Sequence, residues 1–310
     1  MFSVVFPGQG SQFVGMTKEL YREFKYVREL FQQADDALGF SLSKVILEGP
    51  KEKLDETENT QPSIFLASQS IYQIIKQETK VDLSKANFFA GHSLGEYSAL
   101  AASECLNFSQ TIKLLKKRGN AMQSAVPKGE GGMLAVLGIE IEKLNKILED
   151  NKSNYKCFIA NDNSNGQVVL SGKNKDIEAL ILDLKKNSIK NVKLPVSAPF
   201  HCELMRAATE VMKKEIEITE FRKPNNSIVS NVTSTETKDP LQIKELLVKQ
   251  IESPVRWRES IIYMINKGVR KFIEIGPGKV LSGLIKRIDK NLSIANVNEI
   301  NDIKNLNIND

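Results

Sequence analysis

Histidine is the scarcest reactive residue in this chain: His92 and His201 are the only two among 310 residues, so any chemistry needing an imidazole must choose between them. Cysteine is almost as sparse. Cys105, Cys157 and Cys202 are odd in number and contain no Cys-x-x-Cys spacing, which argues against a disulfide framework or a zinc site and makes a reducing cytoplasm the default expectation. No apolar run approaches membrane-spanning length, and Met1 leads straight into Phe2-Ser3-Val4-Val5-Phe6 without a basic segment, so a soluble protein without a targeting peptide is expected. Charge of one sign is lacking too. Lys and Arg total 43 against 38 Asp and Glu, a net +5 too mild and too dispersed for a nucleic-acid binder, though suited to an acidic partner. Neither a G-x-G-x-x-G nor a Walker pattern occurs, there are no repeats or heptads, and no metal or redox cofactor is indicated.

Against these absences stands one informative stretch, Asn87 to Ala102. An apolar run ending at Ala90 reads as a buried strand, and Glu96 to Ala102 is rich in helix formers. Gly91-His92-Ser93-Leu94-Gly95 must be the turn between them, the strand-to-helix context that a Gly-x-Ser-x-Gly elbow requires. Such a turn exposes the hydroxyl of its middle residue, which makes Ser93 the candidate nucleophile. A Gly-rich turn with a surface serine is the plainer alternative. Of the two histidines, His92 is bonded to Ser93 on a sharp turn that should aim its ring away from the hydroxyl. His201 follows a rigid Pro199-Phe200 and can be delivered by the fold, so it is the favoured base. Cys202 beside it allows a Cys-His pair, but no elbow presents this thiol, and packing is the simpler role.

The remaining chain, 41% hydrophobic, reads as an α/β protein. Phe2 to Phe6 is expected to be a strand running into the loop Pro7-Gly8-Gln9-Gly10-Ser11-Gln12, whose backbone N–H groups would suit a second oxyanion donor facing the elbow. Apolar residues at three- and four-residue steps predict one amphipathic helix over 17–38, ended by Gly39. Thr60-Gln61-Pro62 reads as the start of a core helix, and Asn107 as the N-cap of a helix reaching about Ser124, with Arg118 near its end. From Gly131 to Leu194 the order is β-α-β-β-α-β, with a turn at 163–166. We therefore expect residues 127–195 to form a ferredoxin-like insert within an α/β core of 1–126 and 196–310 whose mostly parallel sheet is wrapped on both faces. Strands at 227–231 and 271–275 and helices at 240–251, 256–266 and 280–288 complete the core. The tail from Asn291 is expected to be peripheral.

Seven collinear blocks carry a family resemblance: Phe6 to Gln12, Gly91 to Leu100, Arg118-Gly119 with Met122-Gln123, Pro199-Phe200-His201, Ser230 to Thr233, Gln250 with Ser253 to Trp257, and Glu274 to Gly278. Together they closely resemble the malonyl-CoA:acyl-carrier-protein transacylase family of bacterial fatty-acid synthesis. The resemblance implies an α/β-hydrolase-like core around the insert, Ser93 as nucleophile, His201 as general base, a Gln250 carbonyl orienting His201, the Gln9 and Leu94 amides as oxyanion hole, and Arg118 as partner of the malonyl carboxylate. Met122, Asn161, Phe200 and Asn231 match polar or bulky positions near the family's pocket. Cys202 departs from the serine usual there. The implied partners are malonyl-CoA, CoA and an acidic holo acyl carrier protein met by Lys and Arg at the pocket mouth. No cofactor, nucleic acid or membrane is implied, and the chain is expected to act as a monomer. A serine thioesterase or hydrolase, a non-catalytic carrier-docking module and a discrete polyketide acyltransferase remain the alternatives.

Overall fold

A computed structural model describes residues 1–307. The first strand, β1 (Phe2–Phe6), is buried along its whole length, as a strand covered on both faces must be. After it come α1 (Lys18–Glu23), α2 (Lys25–Leu38), α3 (Leu42–Glu48), α4 (Lys51–Asp55) and α5 (Thr57–Glu78). The elbow lies between β2 (Phe88–Gly91) and α6 (Gly95–Ala102), and α7 (Phe108–Ser124) follows, with Asn107 Oδ1 accepting from Gln110 N as its cap. The middle segment holds β3 (Gly131–Leu137), α8 (Ile141–Asp150), β4 (Cys157–Ser164), β5 (Gln167–Lys173), α9 (Asn174–Lys186) and β6 (Lys190–Lys193). The chain returns through α10 (Arg206–Ile218), β7 (Ser227–Val229), β8 (Glu236–Thr237), α11 (Pro240–Gln250) and α12 (Trp257–Asn266). It ends in β9 (Lys271–Ile275), α13 (Val280–Ile288), β10 (Ser293–Val297) and α14 (Ile300–Lys304). No helix among the described residues is long and apolar enough to cross a membrane.

The α/β class with a mostly parallel sheet is as expected. Six strands lie in the order β10-β9-β1-β2-β7-β8, and every pairing is parallel except β7 with β8. Val4 and Phe6 point into a core shared with α2, α5 and α7, whereas Val5 joins Phe272, Trp257 and Leu284 on the opposite face, so helices on both sides seal the sheet. The second sheet, β4-β5-β3-β6, is wholly antiparallel. Leu134 and Val136 face a third core with α8 and α9, while Met133 and Ala135 pack into the first. The two sheets therefore share a hydrophobic layer. A polar seam reinforces it: Val255 N donates to Ala160 O at 2.8 Å, Asp162 N donates to Val255 O at 3.0 Å, and Arg258 Nε reaches both oxygens of buried Asp162 at 3.0 Å.

Several boundaries differ from the sequence reading. The expected helix over 17–38 is broken at Phe24, which is extended (φ −105°, ψ 122°). Both halves keep the same apolar register, which is why periodicity reads them as one. The core helix begins at Thr57 rather than Thr60, with Pro62 inside it. Its polar opening is buried because Thr57 Oγ1 donates to Gln123 Oε1 at 2.9 Å and Thr60 Oγ1 to Leu54 O at 2.6 Å. β4 continues to Ser164, leaving Asn165 and Gly166 as the turn, and β7 stops at Val229. The tail is not peripheral: β10 extends the parallel sheet along β9, and Ile303 of α14 is buried. Asn296, of a residue type depleted in strands, hides this strand from pattern reading.

Gly119 lets α7 approach the start of α5. A Cβ there would lie 2.5 Å from Thr57 O and 2.6 Å from Glu58 Cα. Gly119→Ala should therefore lose about 1–3 kcal/mol in denaturant unfolding, overpacking outweighing helix propensity. Gly283→Ala on α13, where a Cβ meets nothing within 4 Å, should gain up to about 1 kcal/mol. Equal gains at both would mean that the α5–α7 approach is not a constraint.

Candidate active site

Ser93 sits at φ 54°, the left-handed region, between the end of β2 and the start of α6. The flanking glycines are required by contact rather than by flexibility. A Cβ on Gly91 would stand 1.9 Å from the Gly95 carbonyl carbon, and one on Gly95 would stand 2.3 Å from Phe6 O. Asn231, just past β7, locks the turn from behind: its Oδ1 accepts from Ser93 N and its Nδ2 donates to Gly91 O, both at 2.7 Å. Strain of this kind costs about 1–3 kcal/mol and persists only where surrounding bonds over-determine it.

The hydroxyl so presented lies 2.8 Å from His201 Nε2. His201 Nδ1 is 2.9 Å from the backbone carbonyl of Gln250, which can only accept, so Nδ1 carries the proton and Nε2 offers its lone pair to Ser93. His92 turns away. Its Nε2 meets Asn163 Oδ1 at 2.8 Å and its ring lies 5.7 Å from Trp257, tying the elbow to β4. Burial first and the nearby Arg118 cation second push the His201 pKa down to about 3, which keeps the ring neutral and able to accept a proton.

Arg118 is 1% exposed, yet no carboxylate among the described residues bonds to it. Nη1 donates to Gln61 Oε1 at 2.8 Å, and Nη2 donates to Gln250 Oε1 at 2.8 Å and to Ser93 Oγ at 3.1 Å. The guanidinium lies over the Tyr97 ring at 5.6 Å, and Nε has no partner among the described residues. A desolvated cation beside the nucleophile, held by neutral oxygens, is equipped to bind an anionic group.

The loop Pro7 to Gln12 runs against the elbow, since a Cβ on Gly8 would stand 2.6 Å from His92 O. Ser11 Oγ donates to Gly8 O at 2.8 Å, and Gln12 Nε2 donates to Asp55 Oδ1 at 2.8 Å. Gly276 abuts Pro7 from the other side, and Glu274 caps α13 by accepting from Leu281 N and Ser282 N. Neither the Gln9 nor the Leu94 amide has a protein acceptor among the described residues. Met122 lies one turn beyond Arg118 with Sδ 3.8 Å from Gln61 Nε2, and Phe200 is buried beside His201. Asn161 is buried on β4 in the bridge to Val255. Asn231 belongs to the support of the turn, because both ends of its amide are engaged there. Cys202 is buried, its thiol donating to Pro199 O at 3.1 Å, and burial pushes its pKa up to about 12. A cleft of ≈ 710 Å³ lined by Phe158, Ile159 and Pro254 leads to His201. Its rim is mixed rather than uniformly basic, with Lys156 paired to Glu203 and Arg256 to Glu259.

Three residues of this network escaped the sequence reading: Gln61, Tyr97 and Glu96. Gln61 reads in sequence only as part of a helix start. Glu96 is 2% exposed and accepts from Gln250 Nε2 at 2.8 Å and Asn231 N at 3.1 Å. The available signal was a lone acid in the first turn of an otherwise apolar helix.

The family model described as the acyl transferase domain matches residues 3–304. A malonyl CoA-acyl carrier protein transacylase of Bacillus subtilis (strain 168) is 41% identical over 297 residues, covering 95% of this chain and 92% of the relative. The solved structure of an acyl-carrier-protein-S-malonyltransferase from Bartonella henselae has a TM-score of 0.94 at 40% identity, covering 98% of this chain and 97% of that one. Another, at TM-score 0.93, 37% identity and coverages of 98% and 97%, is a malonyl-transacylase in complex with a type II PKS acyl-carrier protein.

The depressed His201 pKa has a testable sign. Its ring should stay neutral well below pH 6 when followed by imidazole NMR, and Arg118→Ala, by removing a repelling cation, should move the midpoint upward. An unmoved midpoint would mean that burial alone sets it.

Proposed function

We propose, from the premise that the chain belongs to the acyl transferase family that includes the malonyl CoA-acyl carrier protein transacylases, that it works by double displacement through Ser93. The activity is transfer of the malonyl group from malonyl-CoA to the phosphopantetheine thiol of acyl carrier protein, which supplies fatty-acid synthesis. In the first half, Ser93 Oγ attacks the thioester carbonyl while His201 Nε2 takes its proton. The developing oxyanion is held by the Gln9 and Leu94 amides, and collapse breaks the C–S bond, His201 returning the proton to CoA. In the second half the carrier's thiol gives its proton to His201 and attacks the malonyl-serine ester. Ser93 then leaves as a hydroxyl, reprotonated by His201.

The observation that carries this reading is the buried guanidinium donating to Ser93 Oγ without a carboxylate hydrogen-bonded to it among the described residues. A malonyl carboxylate supplies the missing charge and can take two parallel bonds. A hydrolase for neutral acyl groups would have no use for it. We read the support as an α/β-hydrolase-like core, 1–126 and 196–310, carrying a ferredoxin-like insert over 127–195. The strand order β6-β3-β5-β4 and the split β-α-β connections support the second assignment. We place the enzyme in the cytoplasm as a monomer, since one chain supplies the nucleophile, base and cation.

Brief incubation with malonyl-CoA followed by intact-mass spectrometry should give a malonyl adduct on Ser93, absent in Ser93→Ala and cleared by reduced holo carrier protein. Loss of the adduct to water regardless of carrier would indicate a hydrolase, and no adduct would sink the mechanism. Charged hydrogen bonds are worth about 1.5–3 kcal/mol each, so Arg118→Ala should cost malonyl transfer on the order of 10²-fold while acetyl transfer suffers less. Equal losses would make Arg118 structural.

A further inference from the structure

Glu96 touches neither His201 nor the Ser93 hydroxyl, yet it is buried at the point where three segments meet. Its carboxylate takes bonds from Asn231 N at 3.1 Å, beyond β7, and from Gln250 Nε2 at 2.8 Å, at the end of α11. Gln250 has two separate duties. Its backbone carbonyl serves His201 Nδ1, and its side-chain Oε1 accepts from Arg118 Nη2 at 2.8 Å. A side-chain amide has two faces, one that accepts and one that donates, and the two are nearly the same shape. Something must decide which face meets the guanidinium. The groups around Gln250 Nε2 are Glu96 Oε2 at 2.8 Å, Ser93 O at 3.1 Å and Asn231 Oδ1 at 3.4 Å. All three accept. The carboxyl is the nearest; burial pushes its pKa up to about 7, and in its ionised form it is the only charged neighbour and cannot donate. Turning the amide over would place an oxygen against it and an NH2 against Arg118, two repulsions at once.

We propose that Glu96 is a positioning residue for acyl-group selection: it orients the Gln250 amide so that Oε1 holds the Arg118 guanidinium in place for the carboxylate of the acyl donor. Glu96 thus lies at one end of a relay, Glu96 carboxylate to Gln250 amide to Arg118 guanidinium, whose far end meets the substrate. Separating the two charges by a neutral amide leaves Arg118 free to pair with an incoming anion, which a direct ion pair would prevent. The inference rests on the reading of Arg118 as the malonyl clamp.

The test compares kcat/KM for malonyl-CoA and acetyl-CoA in the full-length protein and in Glu96→Gln, Glu96→Asp, Gln250→Leu, Glu96→Gln/Gln250→Leu and Arg118→Ala. Glu96→Gln keeps the shape but can present its own amide either way, so the malonyl-to-acetyl ratio should fall by about tenfold, the size of one charged hydrogen bond. Gln250→Leu retains the backbone carbonyl and should give a comparable fall. The double variant should fall no further than Gln250→Leu, because Glu96 acts through Gln250. Glu96→Asp, with its charge drawn back by one methylene, should give an intermediate ratio, and it serves if Glu96→Gln does not fold. Parallel loss for both acyl donors in the Glu96 variants, with the ratio unchanged, would overturn the proposal and leave Glu96 a fold residue. If Arg118→Ala also left the ratio unchanged, the fault would lie with the clamp itself. An altered ratio in Arg118→Ala beside an unaltered one in Glu96→Gln would refute the relay alone.

Discussion

A fully desolvated positive charge is the constraint around which this site is built. Taking a guanidinium out of water is costly unless its donors are met; here Nη1 and Nη2 are met by neutral oxygens contributed from α5, α11 and the elbow, while Nε has no partner among the described residues. Each of those oxygens belongs to a group fixed by something else: Gln61 by a helix whose start is buried, Gln250 by Glu96, Ser93 by its strained turn. Tyr97 contributes a ring face from α6. The charge reaches beyond its own bonds, because its field opposes protonation of His201. In the mechanism we propose, substrate selection and base strength therefore share a cause.

Holding these groups in register takes a frame that does not breathe at the site. Alternate residues of β1 feed two cores on opposite faces of the parallel sheet, and alternate residues of β3 tie the antiparallel sheet to the first of them. The seam through Val255, Asp162 and Arg258 joins the layers at the level of the cleft, and His92 with Asn163 adds a bond from the elbow itself. The Gln9 and Leu94 amides come from two separate segments, and their relative placement needs that kind of support, since it is set by packing between chain regions far apart in sequence.

What was legible in the sequence was local. Gly91 and Gly95 around Ser93, Asn107 before α7 and the β-α-β-β-α-β order of the middle segment each express a rule acting within a few residues. That His201 rather than His92 lies beside Ser93 also has a local reason, because a residue bonded to Ser93 on a sharp turn cannot easily face its hydroxyl. What failed depended on distant contacts. Nothing near Phe24 marks the interruption of its helix, because both halves bury the same stripe. The polar residues from Thr57 to Gln61 resemble a loop until their partners on α4 and α7 are seen. Gln61 and Arg118 are 57 positions apart, and Arg118 and Gln250 are 132 apart. The strand β10 is masked by Asn296, of a residue type depleted in strands. The elbow motif and the scarcity of histidine point to Ser93 and His201, the remaining site roles are what the resemblance implies, and the geometry gives physical grounds for proposing them.

Ser93 and His201 both have left-handed backbones, at φ 54° and φ 60°, a region costly for side chains with a Cβ. Glycine at either position would relieve that cost, so the most comfortable residues for the fold are ones that abolish the chemistry. The two positions stand as a standing trade-off between durability and reactivity: selection for a hardier scaffold alone would erode the site from its centre. Variants of this chain that gain robustness without losing turnover must therefore find it elsewhere, in the surface helices and the outer strands.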